Sequence, residues 1–249
     1  MNSIIETIMN HRSVRSFEDK PLSREQIETI VKSAQAASTS SFIQAYSIIG
    51  VTDQGIKERL SELVGNQPYV KENGHFFVFC ADLYRHELIG KLEGKNVNES
   101  IESTEKFMVA LIDTALAAQN AALAAESMGL GICYIGGIRN NLVEVRKLLH
   151  TPDRVIPLFG LSVGYPKKIN DQKPRLPFKH IYHENGYEPA EHKSLSQLEE
   201  YNRVISQYYD ERTNGARKDT WTGQMANMLE KQTRMYMKEF VEGLKLDLH

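Results

Sequence analysis

The sequence predicts an α+β fold built as one layered domain over residues 1–249. Strand-like and helix-like stretches alternate at irregular spacing, and one long alanine-rich helix, "TEKFMVALIDTALAAQNAALAAESM", dominates the pattern. A doubly wound parallel sheet would alternate its elements more evenly. The chain also has 41% hydrophobic and 25% charged residues, enough apolar content for a large core.

The elements follow in order. "SIIETIMN" places Ile4, Ile5, Ile8 and Met9 on one face of a short helix that is expected to dock on the core. "KPLSREQIETIVKSAQAAS" opens with Ser23 and Gln26 in capping-box spacing, and Ile27, Ile30, Val31 and Ala34 then form a helical stripe. The hydroxyl-rich "STSSF" interrupts it. "AYSIIGVTD" reads as a strand, "QGIKERLSELVG" as a surface helix and "HFFVFCAD" as a buried strand. Residues 83–103 are polar and irregular, and are expected to form a surface excursion.

The long helix from Thr104 to Met128 is apolar on most faces, so it belongs between layers or in a dimer interface. "GLGICYIGGI" is a strand bounded by glycines, "RNNLVEVRKLLHT" an amphipathic helix, and "DRVIPLFGLSVGYP" an apolar strand stopped by proline. A basic, proline-punctuated loop follows. Residues 190–249 read as a C-terminal helical arm of two helices split by "TNGARKD".

Net charge is −2, so no global positive field draws the chain to nucleic acid or an acidic membrane. Cys80 and Cys133 sit in apolar runs and read as buried small hydrophobes, with no disulfide framework or zinc spacing. No basic segment followed by an apolar one opens the chain, and the longest apolar stretch carries Asp113, Gln119 and Asn120. A cytoplasmic protein is expected.

Familiar catalytic motifs fail on context. "GLSVG" matches the nucleophile pattern of hydrolases, but Ser162 lies inside an apolar strand with no elbow. "GLGICY" puts Tyr134 where a dinucleotide fingerprint needs its third glycine, and it leads from helix to strand. No metal ligands and no catalytic nucleophile are predicted.

What remains is basic. "HRSVR" groups His11, Arg12, Ser13 and Arg15; "KPRLP" groups Lys173 and Arg175 on one side of an extended segment. Alone, each reads as a solvated loop; together they look like a phosphate clamp. "STSSF" adds hydroxyls, "GNQPY" adds Gln67, and "YIGGI" adds backbone N–H groups at Gly136 and Gly137, which a planar ring could approach. A hydrogen-bonding ring on a ribityl phosphate, FMN, suits this inventory.

With these residues assembled, the chain resembles the FMN-dependent nitroreductase superfamily. Within it, the resemblance is to the oxygen-insensitive NADPH nitroreductases and NADPH–flavin reductases, nearest to the Gram-positive subgroup. The stretches "HRSVRSF", "SAQAASTSSFIQAYSIIGVTD", "GNQPYV", "FFVFCADLYRH", "AAQNAALAAESMGLGICYIGGIRN", "PLFGLSVGYP", "KPRLP" and "ERTNGARKDTW" carry it nearly end to end. Only residues 90–103 and the extreme C-terminus lie outside it.

The resemblance implies a largely antiparallel sheet flanked by helices, in a homodimer that exchanges terminal arms and builds two FMN sites from both chains. His11, Arg12, Ser13, Arg15, Lys173 and Arg175 would bind FMN, with Arg15 at the N1–O2 edge, where a cation favours the reduced form. Thr39, where the family often has serine, and Ser41 would come from the partner. Gln67 and Tyr69 would meet the ring or ribityl chain, and the backbone of Tyr134, Ile135, Gly136 and Gly137 the N5 edge. Arg212 and Arg217 would hold the 2′-phosphate of NADPH; the same loop read alone is a solvated linker.

The implied activity is ping-pong transfer from NADPH, with NADH as an alternative donor, to nitroaromatics, quinones or free flavin. Oxygen, peroxide or disulfides are further candidate acceptors. The rival reading is a non-enzymatic FMN carrier or sensor, which would have no use for Arg212 and Arg217.

Overall fold

The computed structural model describes residues 2–249, and its chain divides into two compact units. The first runs to Asn170 and takes up Arg234–His249; the second is Asp171–Thr233.

In the first unit, β1 (Tyr46–Val51), β2 (His75–Asp82), β3 (Gly131–Ile135) and β4 (Val155–Gly164) form one sheet in the order β1-β2-β4-β3. Every neighbouring pair is antiparallel, so the fold is α+β with an antiparallel sheet. β2 is buried along its whole length because both faces are covered. Its side chains alternate, as the two-residue period requires. Phe77 and Phe79 pack with the alanines of α6 (Thr104–Ser127) and with Ile30 and Ala34 of α2 (Arg24–Gln35). Phe76, Val78 and Cys80 point the other way, into a core shared with Leu60 of α3 (Gln54–Leu63) and Leu142 and Val145 of α7 (Leu142–Leu149). Val241, Leu244 and Leu246, around α11 (Met237–Gly243), complete that second core.

The sequence-level signals hold at α2, where Ser23 accepts from the Gln26 N–H and the Gln26 side chain accepts from the Ser23 N–H. Two expectations change, at residues 83–103 and at α1. Residues 83–103, read as irregular, contain α4 (Tyr84–Glu93) and α5 (Asn98–Ile101). These are pinned by Arg154, 3% exposed, which donates to Glu87 at 2.9 Å and to Glu102 at 2.5 Å. The apolar face of α1 (Ser3–Met9), expected to dock, is open: Ile4, Ile5, Ile8 and Met9 are all exposed. α6 is covered along its alanine stripe but leaves Met108, Ile112 and Leu116 exposed, so a single chain covers one side of it.

The second unit has an extended start, a single helical turn α8 (Phe178–Ile181), and two longer helices, α9 (Glu191–Arg212) and α10 (Trp221–Leu229). Tyr201, Ile205 and Tyr209 form its core with Leu176 and Trp221. The split at "TNGARKD" lies between α9 and α10, as expected, but α11 follows and belongs to the first unit.

Candidate active site

The cluster 11–15 is held against the end of β3. Ser13 bridges Ile132, and the Val14 N–H donates to the Ile132 carbonyl at 2.8 Å. A Cβ at Gly131 would stand 2.8 Å from Val14, so only glycine lets this segment lie so close. Asn170 adds a bond to the Ser13 carbonyl at 3.0 Å. The polar side chains are thus displayed from a backbone fixed to the sheet, which local sequence shows only as a dense run.

His11 Nδ1 lies 2.7 Å from Oε1 of Glu126, near the end of α6. Arg12 Nε donates to the Asn10 carbonyl at 2.9 Å, and Arg12 lines a cavity of about 620 Å³ with Asn10, Glu126 and Gly131. Arg15 is exposed, and its guanidinium lies close enough to Tyr69 and Cys133 to act on the ionisation of both. Burial raises the pKa of both the Tyr69 phenol and the Cys133 thiol, and the Arg15 guanidinium opposes that rise in each.

Tyr69 donates to Gln67 Oε1 at 2.7 Å, and Gln67 Nε2 donates to the Val64 carbonyl at 3.0 Å. Ser162 serves this turn: its hydroxyl donates to the Tyr69 carbonyl at 2.8 Å from inside β4, so it has a structural partner there. The tight turn Gly136–Asn140 packs on the Val64 carbonyl that accepts from Gln67: a Cβ at Gly137 would stand 2.6 Å from Val64 O. Arg139 Nη1 holds the turn by donating to the Leu158 carbonyl at 2.6 Å. Tyr134 packs edge-on against Phe159. Its phenol is pushed up in pKa by desolvation, then by the Glu126 carboxylate.

Arg15, Gln67, Tyr69 and the Tyr134–Gly137 strand end therefore converge in one chain. Thr39 and Ser41 do not join them. Their loop hangs from Asp113, fully buried in α6, whose two carboxylate oxygens accept the Ser40 and Ala45 N–H groups at 3.0 Å each. Ser41, Phe42 and Gln44 adopt left-handed φ values there, a costly backbone that the buried acid sustains. Asp113 and Glu126 are thirteen residues apart on one helix, hence about 20 Å along its axis. A cavity of about 1030 Å³ lined by Lys57, Asn73 and His75 contains none of the predicted site residues.

In the second unit Lys173 and Arg175 are exposed on the extended segment, which Tyr201 fixes by donating to the Pro174 carbonyl at 2.9 Å. Lys173 Nζ lies 5.4 Å from the ring centre of Tyr209. Burial pushes the Tyr209 phenol up in pKa, but its bond from Lys173 and the nearby cations bring it below the ordinary value.

Two family descriptions match: "Nitroreductase family" over residues 8–165 and "Nitroreductase family, C-terminal domain" over residues 173–249. The chain belongs to the nitroreductase family. Among similar proteins, the "FMN reductase (NADPH)" of Bacillus subtilis (strain 168) is 57% identical over 242 residues, 97% of each chain. An "NADPH-dependent oxidoreductase" of Staphylococcus epidermidis is 48% identical over 236 residues, 94% of each. The solved structure of NfrA1 from B. megaterium is 67% identical, covers 99% of this chain and all of its own, and superposes with a TM-score of 0.98. The NADPH:FMN oxidoreductase from Vibrio harveyi, solved with NAD+, is 36% identical over the full length of both chains, with a TM-score of 0.88.

The donor set suits FMN. Arg12 and the ring nitrogen of His11 that faces away from Glu126 offer donors for a phosphate, Arg15 offers a cation for the polar edge of the ring, and the nearby acid Glu126 is engaged by His11. The glycine turn offers backbone against which a flat ring can lie. Sequence reading did not single out Asp113 as the support of the hydroxyl loop or Glu126 as the partner of His11. The available signal was an acid inside an otherwise apolar, alanine-rich helix, which must find a partner.

Proposed function

We propose that this chain is an FMN-dependent NAD(P)H oxidoreductase that passes two electrons to flat, electron-poor acceptors: nitroaromatics, quinones or free flavin. The observation that carries the reading is the convergence of Arg15, Gln67, Tyr69 and the glycine turn at the end of β3. The similarity to an FMN reductase (NADPH) over nearly the whole chain supports it.

Bound FMN supplies the hydride chemistry; the protein supplies position and charge. His11, Arg12, Ser13, Lys173 and Arg175 hold the phosphate and the polar edge of the ring. Arg15 stabilises negative charge gathering at that edge, an electrostatic role that moves no proton. Gln67 and Tyr69 orient the ring and ribityl chain, and the N–H groups of the Tyr134–Gly137 turn meet the ring's opposite edge. Donor and acceptor use the site in turn, so no side chain has to act as nucleophile. Arg212 and Arg217 take the 2′-phosphate of NADPH.

The working unit is a cytoplasmic homodimer. Thr39 and Ser41 are contributed by the partner subunit, in keeping with their loop hanging about 20 Å from the His11 anchor in the same chain. The open apolar faces of α1 and α6 supply contact surface. Residues 1–249 form one FMN-binding domain per chain, with 83–103 as a surface excursion, and part of the 190–249 arm crosses to the partner.

The test is the visible spectrum of the purified protein under anaerobic conditions, before and after NADPH. Flavin bands that bleach on addition support both the cofactor and the donor. Bands that persist with NADPH and NADH alike favour a carrier, and failure to reconstitute a colourless protein with FMN overturns the assignment.

A further inference from the structure

Arg212 and Arg217 are each seated on a tyrosine of α9. Arg212 Nη1 donates to the Tyr208 hydroxyl at 3.0 Å. The guanidinium carbon of Arg217 lies 4.5 Å over the ring of Tyr209, a buried residue whose hydroxyl sits 3.3 Å from Gln224 Oε1. The backbone of Arg217 is fixed as well: its N–H donates at 2.9 Å to the Thr213 hydroxyl, which itself donates to the Tyr209 carbonyl at 2.6 Å.

The guanidinium of Arg217 is nevertheless engaged. Its Nε donates to Asp219 Oδ2 at 2.7 Å, and its Nη2 donates to the same oxygen. Two convergent N–H donors on one anionic oxygen is an arrangement a phosphate oxygen also satisfies. Arg212 donates to a phenol instead. Asp210, in the last turn of α9 beside this loop, stands 3.6 Å from Lys218.

We propose that Asp219 is an internal stand-in for the 2′-phosphate of NADPH: it holds Arg217 in the phosphate-accepting position and must yield it when the phosphorylated nucleotide binds. The inference rests on the reading of Arg217 given above. Asp219 touches no nucleotide itself and acts through Arg217, as a positioning residue that sets the preference between phosphorylated and unphosphorylated donors. Both partners of the pair are substantially exposed, 52% and 40%, so the pair is weak and can be displaced. A dianionic phosphate outcompetes a monoanionic carboxylate for a guanidinium. The 2′-hydroxyl of NADH brings no charge, so NADH binds with the pair closed. Discrimination in favour of NADPH is therefore reduced by whatever opening the pair costs.

The test is calorimetric titration of the FMN-loaded protein with adenosine 2′,5′-bisphosphate and with 5′-AMP, which differ only in the 2′-phosphate. The natural protein should prefer the bisphosphate, and Arg217→Ala should lose that preference. Asp219→Asn should bind the bisphosphate about two- to fivefold more tightly, the range expected for releasing an exposed ion pair, and 5′-AMP as before. Asp210→Asn removes the same charge from the last turn of α9, beside the loop, without touching Arg217, and should give less than half of that gain. Equal or weaker bisphosphate binding by Asp219→Asn, or an equal gain in Asp210→Asn, overturns the proposal. A natural protein with no bisphosphate preference, or one that Arg217→Ala leaves unchanged, overturns the reading of the loop and the proposal with it.

Discussion

Two adjacent glycines should respond in opposite ways to the same added methyl group. At Gly137 a Cβ would stand 2.6 Å from the Val64 carbonyl oxygen and 2.9 Å from Val64 Cβ. Val64 is 1% exposed at the end of α3, so it has no room to retreat. Its carbonyl also accepts the Gln67 side-chain amide at 3.0 Å, and Gln67 in turn holds Tyr69. Overpacking of this kind costs about 1–3 kcal/mol. For a chain of this length that is a fall in Tm of about 2–12 °C. The displacement passes through Val64 to Gln67, so FMN affinity should fall too, by up to about tenfold for one weakened hydrogen bond. At Gly136 the nearest atom to an added Cβ is Arg139 Nη2, at 3.4 Å, an ordinary contact with a flexible side chain. Gly136→Ala should leave the apoprotein within about 0.5 kcal/mol of the natural one. Its effect should appear in the FMN titration alone, since its open side is where the ring is placed. Scanning calorimetry of the apoproteins and a fluorescence titration with FMN read both quantities. Equal Tm losses for the two variants, or a Gly137→Ala protein as stable as the natural one, would refute the packing argument.

Changing Arg15 or Lys173 to alanine should raise the FMN dissociation constant about tenfold or more each, the scale of one charge-assisted hydrogen bond; an unaltered flavin titration of the double variant would show that FMN is held by other residues. Glutamate at Ile112 or Leu116 puts charge on the exposed stripe of α6. Sedimentation should then find monomers, and these should lose FMN, because half of each site would be missing. His75 is held to a pKa of about 4 by burial and then by the Lys57 ammonium. Its unfolded value is near 6.5, so between pH 4 and 6.5 the unfolded chain binds more protons and stability rises with pH, by up to about 1.4 kcal/mol per unit. Urea unfolding across that window should show the slope, and His75→Gln should flatten it.

The elements most legible in the sequence are those whose signal is local. The alternation of Phe76–Cys80, the capping box at Ser23 and the alanine periodicity of α6 each specify one element within one stretch. The helices at 84–101 were hidden because Leu88, Ile89 and Leu92 are exposed and give no core-facing stripe, and α4 lacks a side-chain cap. What holds them is Arg154, more than fifty residues from either acid it pairs with. The site divides the same way. Its basic clusters are runs in the sequence, whereas Glu126 meets His11 across 115 positions and Asp113 meets Ser40 across 73. No spacing rule reaches that far.

Those two acids also show how one helix would serve the shared site proposed for the dimer. Glu126 anchors the basic cluster at His11 near one end of α6, and Asp113 anchors the hydroxyl loop about 20 Å away. Within one chain the two halves are too distant to grip one small molecule. In the proposed dimer, a twofold axis near Gln119 and Asn120, midway between the acids, with α6 antiparallel to its copy, would set Asp113 of each helix beside Glu126 of the other. Each crossing would then complete one site, and the two sites would be equivalent by symmetry. The exposed stripe of Met108, Ile112 and Leu116 lies on the Asp113 side of that midpoint, so in the proposed dimer it meets the partner's Glu126 half rather than its own image. The same hydrophobic contact that makes the dimer would therefore set the spacing of the site, which is why loss of dimerisation and loss of FMN should not be separable by substitutions along this stripe.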